Sequence, residues 1–408
     1  MTSKLIVRMY NVRFGDGILI TVPDKDPQSN QETERHILID VGNAPLVASK
    51  EGGDDSVFKP VVDDIIATLG GKHVDLYVMT HEHLDHVQGL PHAAWKSFPN
   101  GGLAGKIDVD FSWLTASAAP DYYDTHPDAK KQKLAFEAMY ARIEQHLRSA
   151  GVDKLQPYLR FLSINNPAAT TECVQFLRTL AKTRTSYVHR SVGPAAGATP
   201  VFKLEGTHPF KEARFEIWGP EEDTSDYYST LQSLVLAAPP PARGAAAEPV
   251  AAPRPLPPAG VDVGDFYNLV DARLRGVGDN MLAIDKAANN TSVVFSLEWR
   301  GWRLLFPGDA ELKSWKTMKD KGVLKPVHLL KVAHHGSHNG TPKDAPFDVI
   351  LPTAPPDNRK RRAAVSTWTN TYSGIPDKDT DDLIKTRCEF HSTLDDPQKL
   401  VYQLEFEG

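Results

Sequence analysis

The sequence predicts an α/β fold in which two strand-rich segments form a sandwich of the αββα type around an insertion. Alternating apolar residues predict strands near the start of the chain and again after residue 288, and a helical pattern follows in each segment. Residues 97–288 between them predict a long, mainly helical insertion. We therefore expect one domain over residues 1–408, with this insertion inside it.

The first 80 residues predict a β-meander followed by a helix and a strand. Leu5–Tyr10, Gly17–Val22 and His36–Asp40 have strand-like patterns and are separated by glycine-containing turns. Phe58–Leu69 carries apolar residues at helical spacing and is followed by two glycines, which favour a helix end. Val74–Thr80 then predicts a buried strand.

The insertion contains two predicted helices and one strand. Helical periodicity covers Ala129–Ala150 and Thr171–Lys182, whereas Arg214–Trp218 alternates like a strand. Within Ala237–Gly260, eight of 24 residues are proline and most of the others are alanine or glycine. Such a composition buries too little apolar surface to offset the entropy of ordering, so residues 237–260 are predicted to form a flexible loop.

The segment after the insertion returns to regular structure. Ser292–Trp299 and Trp302–Phe306 predict a hairpin with a turn at Arg300 and Gly301. A helix is predicted over Glu311–Lys321, a strand over Val327–Val332 and a helix over Thr380–Thr386.

Composition limits the class of protein and its compartment. The formal net charge of −6 argues against a general basic surface for nucleic acid. No apolar run is long enough for a membrane span, and no signal peptide is evident. The two cysteines show no pairing pattern. We expect a cytoplasmic protein with no membrane partner.

One local basic run is a candidate for binding phosphate. It consists of Arg359, Lys360, Arg361 and Arg362. A solvated surface loop is the more common role of such a run.

The segment His81-Glu82-His83-Leu84-Asp85-His86 is the strongest chemical signal. It puts three histidines and an aspartate within six residues, directly after a predicted buried strand. Packing does not require such a set, whereas divalent metals bind imidazole and carboxylate groups. His81 and His83 can face one metal while Asp85 and His86 face another. Zinc, manganese and iron all accept these ligands.

Two later segments supply further ligand types. Leu304–Asp309 is an apolar strand that ends in Gly308 and Asp309, which suits a carboxylate that bridges two metals. His334 and His335 follow the strand at Val327–Val332. One of them can bind metal while the other contacts substrate, and the sequence alone does not separate them.

These motifs resemble those of the metallo-β-lactamase superfamily. The order of an early aspartate, His-x-His-x-Asp-His, a later aspartate and a last histidine is similar. The closest resemblance is to the soluble domain of ComEC-type DNA-uptake proteins and to related phosphodiesterases, including phosphorylcholine-esterase-like enzymes. It covers about residues 5–95 and 286–355 and is carried by Asn11–Gly17, Asn289–Ser292, Gly308–Glu311 and His334–Ser337.

The resemblance implies a four-layer αββα sandwich and roles for individual residues. It implies that His335 is the metal ligand of the histidine pair and that Asp40 supports the histidine loop by hydrogen bonds. Asn290 and Ser292 have the same kind of supporting role. Many superfamily members have a third-motif histidine where this chain has Asn289–Ser292, so one metal lacks a protein ligand.

The expected activity is hydrolysis with two divalent metal ions, zinc or manganese. The metals would lower the pKa of a water molecule and supply hydroxide for an in-line attack. Asp85 is positioned to accept a proton, and His334 to donate one to the leaving group. The preferred substrate is a phosphodiester, which includes nucleic acid, with Lys331 and the basic run at residues 359–362 on its phosphate oxygens.

Two other functions stay open from the sequence. The same fold supports acyl hydrolysis, as in lactonases, thioesterases and lactamases. A non-catalytic binding module would keep the fold and use the insertion to contact a protein partner.

Overall fold

A computed structural model describes residues 3–26, 28–44, 54–95, 107–150, 164–192, 210–229, 231, 279–355, 357–368 and 374–408. The predicted flexible loop at residues 237–260 lies outside this described part of the chain. The fold is α/β with two mixed sheets.

The strands are, in chain order, β1 (Lys4–Tyr10), β2 (Gly17–Lys25), β3 (Glu32–Val41), β4 (Val74–Met79), β5 (Val109–Thr115), β6 (Ala181–Val188), β7 (Ala213–Gly219), β8 (Val294–Trp299), β9 (Trp302–Phe306), β10 (Leu329–Lys331), β11 (Arg362–Val365), β12 (Glu389–Ser392) and β13 (Val401–Glu407). The α-helices are α1 (Asp54–Leu69), α2 (Leu84–Val87), α3 (Gly89–Trp95), α4 (Tyr122–Thr125), α5 (Pro127–Ala150), α6 (Pro167–Arg178), α7 (279–289), α8 (Leu312–Asp320), α9 (Ala345–Ile350) and α10 (Lys378–Lys385).

The first sheet has the strand order β13-β1-β2-β3-β4-β5-β6. The pairs from β13 to β3 are antiparallel, and the pairs from β3 to β6 are parallel. Parallel neighbours end at the same edge of a sheet. The ends of β3 and β4 therefore bring the residues that follow them close together.

The second sheet has the order β12-β11-β10-β9-β8-β7. Strands β7, β8 and β9 pair antiparallel, whereas β9, β10, β11 and β12 pair parallel. The residues that follow β9 and β10 thus lie at one edge, as they do after β3 and β4.

Because side chains alternate between the two faces of a strand, each sheet buries apolar side chains on both of its faces. Ile18 and Ile20 of β2 belong to a core cluster that also contains Leu304 and Phe306 of β9, so this core joins the two sheets. Leu19 between them belongs to another cluster, with side chains of α1 and α6. Leu305 likewise belongs to a third cluster, with side chains of α8, α9 and α10. Burial of each such side chain contributes about 1.5–3 kcal/mol.

The structure confirms the predicted meander, the helix before β4 and the hairpin at residues 292–306. The predicted helix at Thr171–Lys182 was wrong at its end, because α6 stops at Arg178 and residues 181–188 form β6. The β-branched and aromatic residues Thr183, Thr185, Tyr187 and Val188 favour a strand.

The range 97–288 is not simply a helical insertion. It contributes β5 and β6 to the first sheet and β7 to the second. Val109, Phe111 and Trp113 alternate along β5, which is the signal for a strand. In the described part of the chain, no helix is both long and apolar enough to cross a membrane.

Candidate metal centre

Asp40 joins the end of β3 to the loop after β4. Its Oδ1 accepts the backbone N–H of Thr80 at 2.8 Å, and its Oδ2 accepts the Thr80 hydroxyl at 2.6 Å. Asp40 itself has a positive φ of 49°. A non-glycine residue in this region costs of order 1–3 kcal/mol, which the surrounding hydrogen bonds offset. The support predicted for Asp40 is thus present in the structure.

The loop that carries Asp85 and His86 packs directly on the backbone at Gly42. A Cβ atom on Gly42 would lie 2.2 Å from the carbonyl carbon of Asp85 and 2.3 Å from the backbone nitrogen of His86. Only glycine allows this approach. Gly42 therefore sets the position of α2, which carries both side chains.

Asp309 and His335 follow β9 and β10 at the facing edge. The Ser292 hydroxyl oxygen accepts the backbone N–H of Asp309 at 3.1 Å. The His335 Nδ1 lies 3.0 Å from the carbonyl oxygen of Ser366. Because that nitrogen then donates, Nε2 is the nitrogen of His335 that faces Asp309 and Asp85.

Four buried side chains from the two sheets converge at this point. The Oδ2 of Asp309 lies 3.2 Å from Nε2 of His86 and 3.1 Å from Nε2 of His335. The Oδ2 of Asp85 lies 3.3 Å from Nε2 of His335. All four residues are at most 2% exposed. We call Asp85, His86, Asp309 and His335 the four-residue cluster.

The donor atoms of the four-residue cluster fit a divalent metal ion. One ligand atom from each residue lies within 4.8 Å of the others. The buried Oδ1 atoms of both aspartates have no hydrogen-bond partner. Buried polar atoms without partners are costly, and a cation bound to imidazole and carboxylate removes that cost.

The charged side chains of the four-residue cluster shift each other's pKa values. Burial alone would lower the pKa of His86, but the carboxylates of Asp309 and Asp85 raise it well above its usual value. Burial also opposes the charged form of His335, but the carboxylates of Asp309 and Asp85 raise its pKa to about 9. Although burial opposes it, His335 and His86 hold the pKa of Asp309 well below its usual range. The two carboxylates are therefore ionised, and a cation bound here would displace a proton from each histidine.

His81 and His83 lie beside the cluster as a pair. The Nε2 of His81 is 3.0 Å from Nδ1 of His83, and the His81 and His86 rings lie 4.2 Å apart. Burial, followed by the charges of His86 and His83, lowers the pKa of His81 well below its usual value. The buried Nε2 of His83 has no hydrogen-bond partner. The ring of His81 is thus kept neutral, and Nε2 of His83 is open to a further ligand.

Sequence reasoning missed Asp16, which pairs with Lys331. Both side chains are buried, and the Lys331 ammonium bonds Oδ2 of Asp16 and lies 3.9 Å from Oδ1 of Asp309. Lys331 was expected to bind phosphate, but its ammonium instead offsets carboxylate charge inside the protein. The only available signal for Asp16 was its place in the Gly15-Asp16-Gly17 turn.

His334 belongs to a second group of polar residues. Its Nε2 lies 3.9 Å from Oδ2 of Asp285, and its Nδ1 lies 3.6 Å from Oε1 of Glu311. Both ring nitrogens thus face these carboxylates, and the structure does not bring His334 into the four-residue cluster. Asn289 lies between the same two carboxylates. Burial and the charge of Asp285 raise the pKa of Glu311 to about 8.

The supporting roles expected for Asn290 and Ser292 are met differently. Ser292 holds the backbone of Asp309, as described above. The Oδ1 of Asn290 instead accepts both the backbone N–H and the hydroxyl of Ser314, at 3.2 and 2.7 Å. Asn290 therefore fixes the start of α8. The neighbouring Asn289 instead contacts Asp285 and Glu311.

The structure does not bring the basic run at residues 359–362 to the site. Arg362 begins β11 and pairs with Leu329 at the start of β10, whereas the histidines follow the other end of β10. The four side chains contact Gly301 and Asp357 (Arg359), Glu389 (Lys360), Pro352 (Arg361) and Glu389 and Glu405 (Arg362). A charge run alone does not reveal its place on a sheet, so the expected phosphate contact was wrong.

A cavity of about 270 Å³ lies beside the metal centre. Among the residues that line it are His83, Asp85, Asp285, Lys286, Asp309 and His334. Lys286 is the lysine among these residues, and no pattern in the residues around it indicates that position. A substrate in this cavity would reach both the four-residue cluster and the Asp285 side.

No family model matches the chain. No curated protein matches it either.

Proposed function

We propose that this protein is a metal-dependent hydrolase with the four-layer αββα fold of the metallo-β-lactamase superfamily, and that it acts on phosphodiesters. The observation that carries the proposal is the convergence of Asp85, His86, Asp309 and His335 in one buried site. The fold assignment is supported by the three core clusters and by the order of the motifs along the chain.

We assign one divalent cation, zinc or manganese, to the four-residue cluster. By the resemblance to the superfamily, a second cation would be held by His81 and His83 together with Asp309. When bound, such cations activate water and place positive charge opposite substrate oxygens.

The protein side chains orient these ligands and the substrate. Asp40 and the carbonyl of Ser366 hold the Nδ1 atoms of His86 and His335, which directs both Nε2 atoms inward. Lys286 on the cavity wall supplies a cation for a phosphate oxygen. The role of proton donor expected for His334 is not retained, because both of its ring nitrogens face Asp285 and Glu311.

The phosphodiester preference is supported by the resemblance to ComEC-type domains and by Lys286. It is tested by hydrolysis of bis(p-nitrophenyl)phosphate and single-stranded DNA with Zn²⁺, Mn²⁺ and Mg²⁺. We expect metal-dependent turnover that is lost in Asp309→Ala. The control is Asp320→Ala, which removes an exposed carboxylate and should keep full activity.

Other outcomes would reassign the protein. Hydrolysis of lactones or thioesters with phosphodiesters untouched would indicate the acyl hydrolase. Fewer than one bound metal per chain, with unchanged stability in chelator, would indicate a binding module. Turnover that persists in Asp309→Ala would contradict the proposed centre.

A further inference from the structure

A second group of polar side chains lies on the other wall of the cavity. Asp285 of α7, Asn289 one turn later, Glu311 at the start of α8 and His334 after β10 form this group. We call these four residues the Asp285 cluster. It shares no residue with the four-residue cluster.

The distances in the Asp285 cluster suit a metal ion. Ligand atoms of Asp285, Glu311 and His334 all lie within 4.8 Å of one another. The two nitrogens of His334 are 3.9 Å from Oδ2 of Asp285 and 3.6 Å from Oε1 of Glu311. Because an imidazole gives only one nitrogen to a given cation, an ion at about 2.0–2.2 Å from its ligands would bind one nitrogen of His334 together with the two carboxyl groups.

Among the described residues, no lysine or arginine forms an ion pair with the carboxyl groups of the Asp285 cluster. Asp285 and Glu311 are 4% and 3% exposed. Within the described residues, the ion pairs of both carboxylates are with His334, and neither lies within 4 Å of a lysine or arginine. Buried carboxylates are usually paired or bound to metal.

Unpartnered atoms at the cluster point to the same conclusion. Asn289 is fully buried, and its Nδ2 lies 3.0 Å from both Oδ2 of Asp285 and Oε1 of Glu311, while its Oδ1 has no hydrogen-bond partner. The two ends of an amide exchange by a simple rotation, which would direct Oδ1 toward a cation.

We propose that Asp285, Glu311 and His334, with Oδ1 of Asn289, bind a divalent transition-metal ion separate from the cations of the four-residue cluster. Two carboxylates, an amide oxygen and an imidazole suit Mn²⁺ and related ions. The inference stands on these residues alone and does not depend on the hydrolase proposal.

The test counts Mn²⁺ bound by the full-length, metal-free protein. Free Mn²⁺ is measured by electron paramagnetic resonance and bound Mn²⁺ by elemental analysis. We expect Asp285→Asn/Glu311→Gln to bind one equivalent fewer than wild type, and Asp309→Asn/His335→Gln to retain that equivalent. Asp320→Asn/Asp382→Asn, which changes two exposed carboxylates, should bind the wild-type number.

A second variant keeps the test independent of folding defects. Asn289→Asp adds a negative ligand, so it should tighten this one equivalent if a cation lies there. Circular dichroism without metal verifies that each variant is folded. An unchanged Mn²⁺ count in Asp285→Asn/Glu311→Gln, or weaker binding in folded Asn289→Asp, would overturn the proposal.

Discussion

The Nδ1 of His86 lies 2.9 Å from Oδ2 of Asp40, and neither side chain is exposed. This contact joins the end of β3 to the loop after β4 and fixes which nitrogen of His86 faces Asp309. Asp40 therefore orients a residue of the four-residue cluster without belonging to that cluster.

Replacing this carboxylate should weaken metal binding. In Asp40→Asn the amide can no longer accept hydrogen bonds through both terminal atoms, so the orientation of His86 is lost. We expect cation affinity about 10–100-fold lower, the range for such supporting residues. Competition with a chelating dye measures it. Asp64→Asn, which changes a half-exposed carboxylate near Arg8, is the control. Unaltered affinity in Asp40→Asn would show that His86 needs no such support.

A single methyl group at Gly42 should displace the histidine loop. The Cβ of Gly42→Ala would overlap the backbone of Asp85 and His86, so the loop must move. We expect loss of Mn²⁺ binding together with a lower melting temperature. Gly70→Ala is a matched control because its Cβ meets nothing within 4 Å, although its positive φ costs about 1–2 kcal/mol. Full Mn²⁺ binding in Gly42→Ala would contradict the role given to this glycine.

The buried pair of Asp16 and Lys331 should be sensitive to loss of one partner. Lys331→Met leaves Asp16 unpaired beside Asp309, so we expect a loss of about 3–5 kcal/mol in the free energy of unfolding. Urea denaturation measures it. Asp16→Leu/Lys331→Met removes both charges and should recover most of the stability. No recovery in the double variant would mean that packing, and not charge, dominates at this site.

The position of the lysines predicts which one affects catalysis. Lys286 lines the cavity, whereas Lys360 pairs with Glu389 at the far end of β11. For bis(p-nitrophenyl)phosphate we expect Lys286→Gln to raise KM several-fold and Lys360→Gln to leave kcat and KM unchanged. Steady-state kinetics measures both. The reverse pattern would indicate that the basic run at residues 359–362, and not Lys286, contacts the substrate.

The free energy of unfolding should decrease as the pH falls, because His36 is buried with a lowered pKa. Burial, despite the opposing charge of Asp75, lowers the pKa of His36 below its usual value of 6.5. Below that pH the unfolded chain binds a proton that the folded protein does not, so stability is lost as pH falls. Urea denaturation at about pH 5.5 and about pH 7.5 should show a smaller difference in His36→Gln than in wild type. Equal differences would exclude this histidine as the cause.

The elements and ligands with local signals were predictable from the sequence. The meander, the hairpin at residues 292–306 and the segment at residues 81–86 each carry their pattern within a few neighbouring residues. Asp309 and the pair of His334 and His335 could be predicted for the same reason, since each follows an apolar strand, whereas the choice of His335 within the pair came from the resemblance. Their convergence agrees with two pairs of parallel strands that end at facing edges.

The remaining features depend on contacts between distant parts of the chain. Asp16 and Lys331 are 315 positions apart, so neither residue's own neighbourhood reveals the pair. Asp285 lies on a helix without a recognisable motif, and its role appears only when Glu311 and His334 approach it. The basic run at residues 359–362 failed as a prediction because charge alone does not tell which end of a strand it occupies.

The four-residue cluster draws Asp85 and His86 from the first sheet's loops and Asp309 and His335 from those of the second. A cation held there is a cross-link between two remote points of one chain. For a loop as long as that between His86 and Asp309, the entropy removed from the unfolded chain corresponds to roughly 5 kcal/mol, if the tie persists on unfolding. Such a cross-link would keep the segments that carry His86 and Asp309 joined even after the backbone between them was cut.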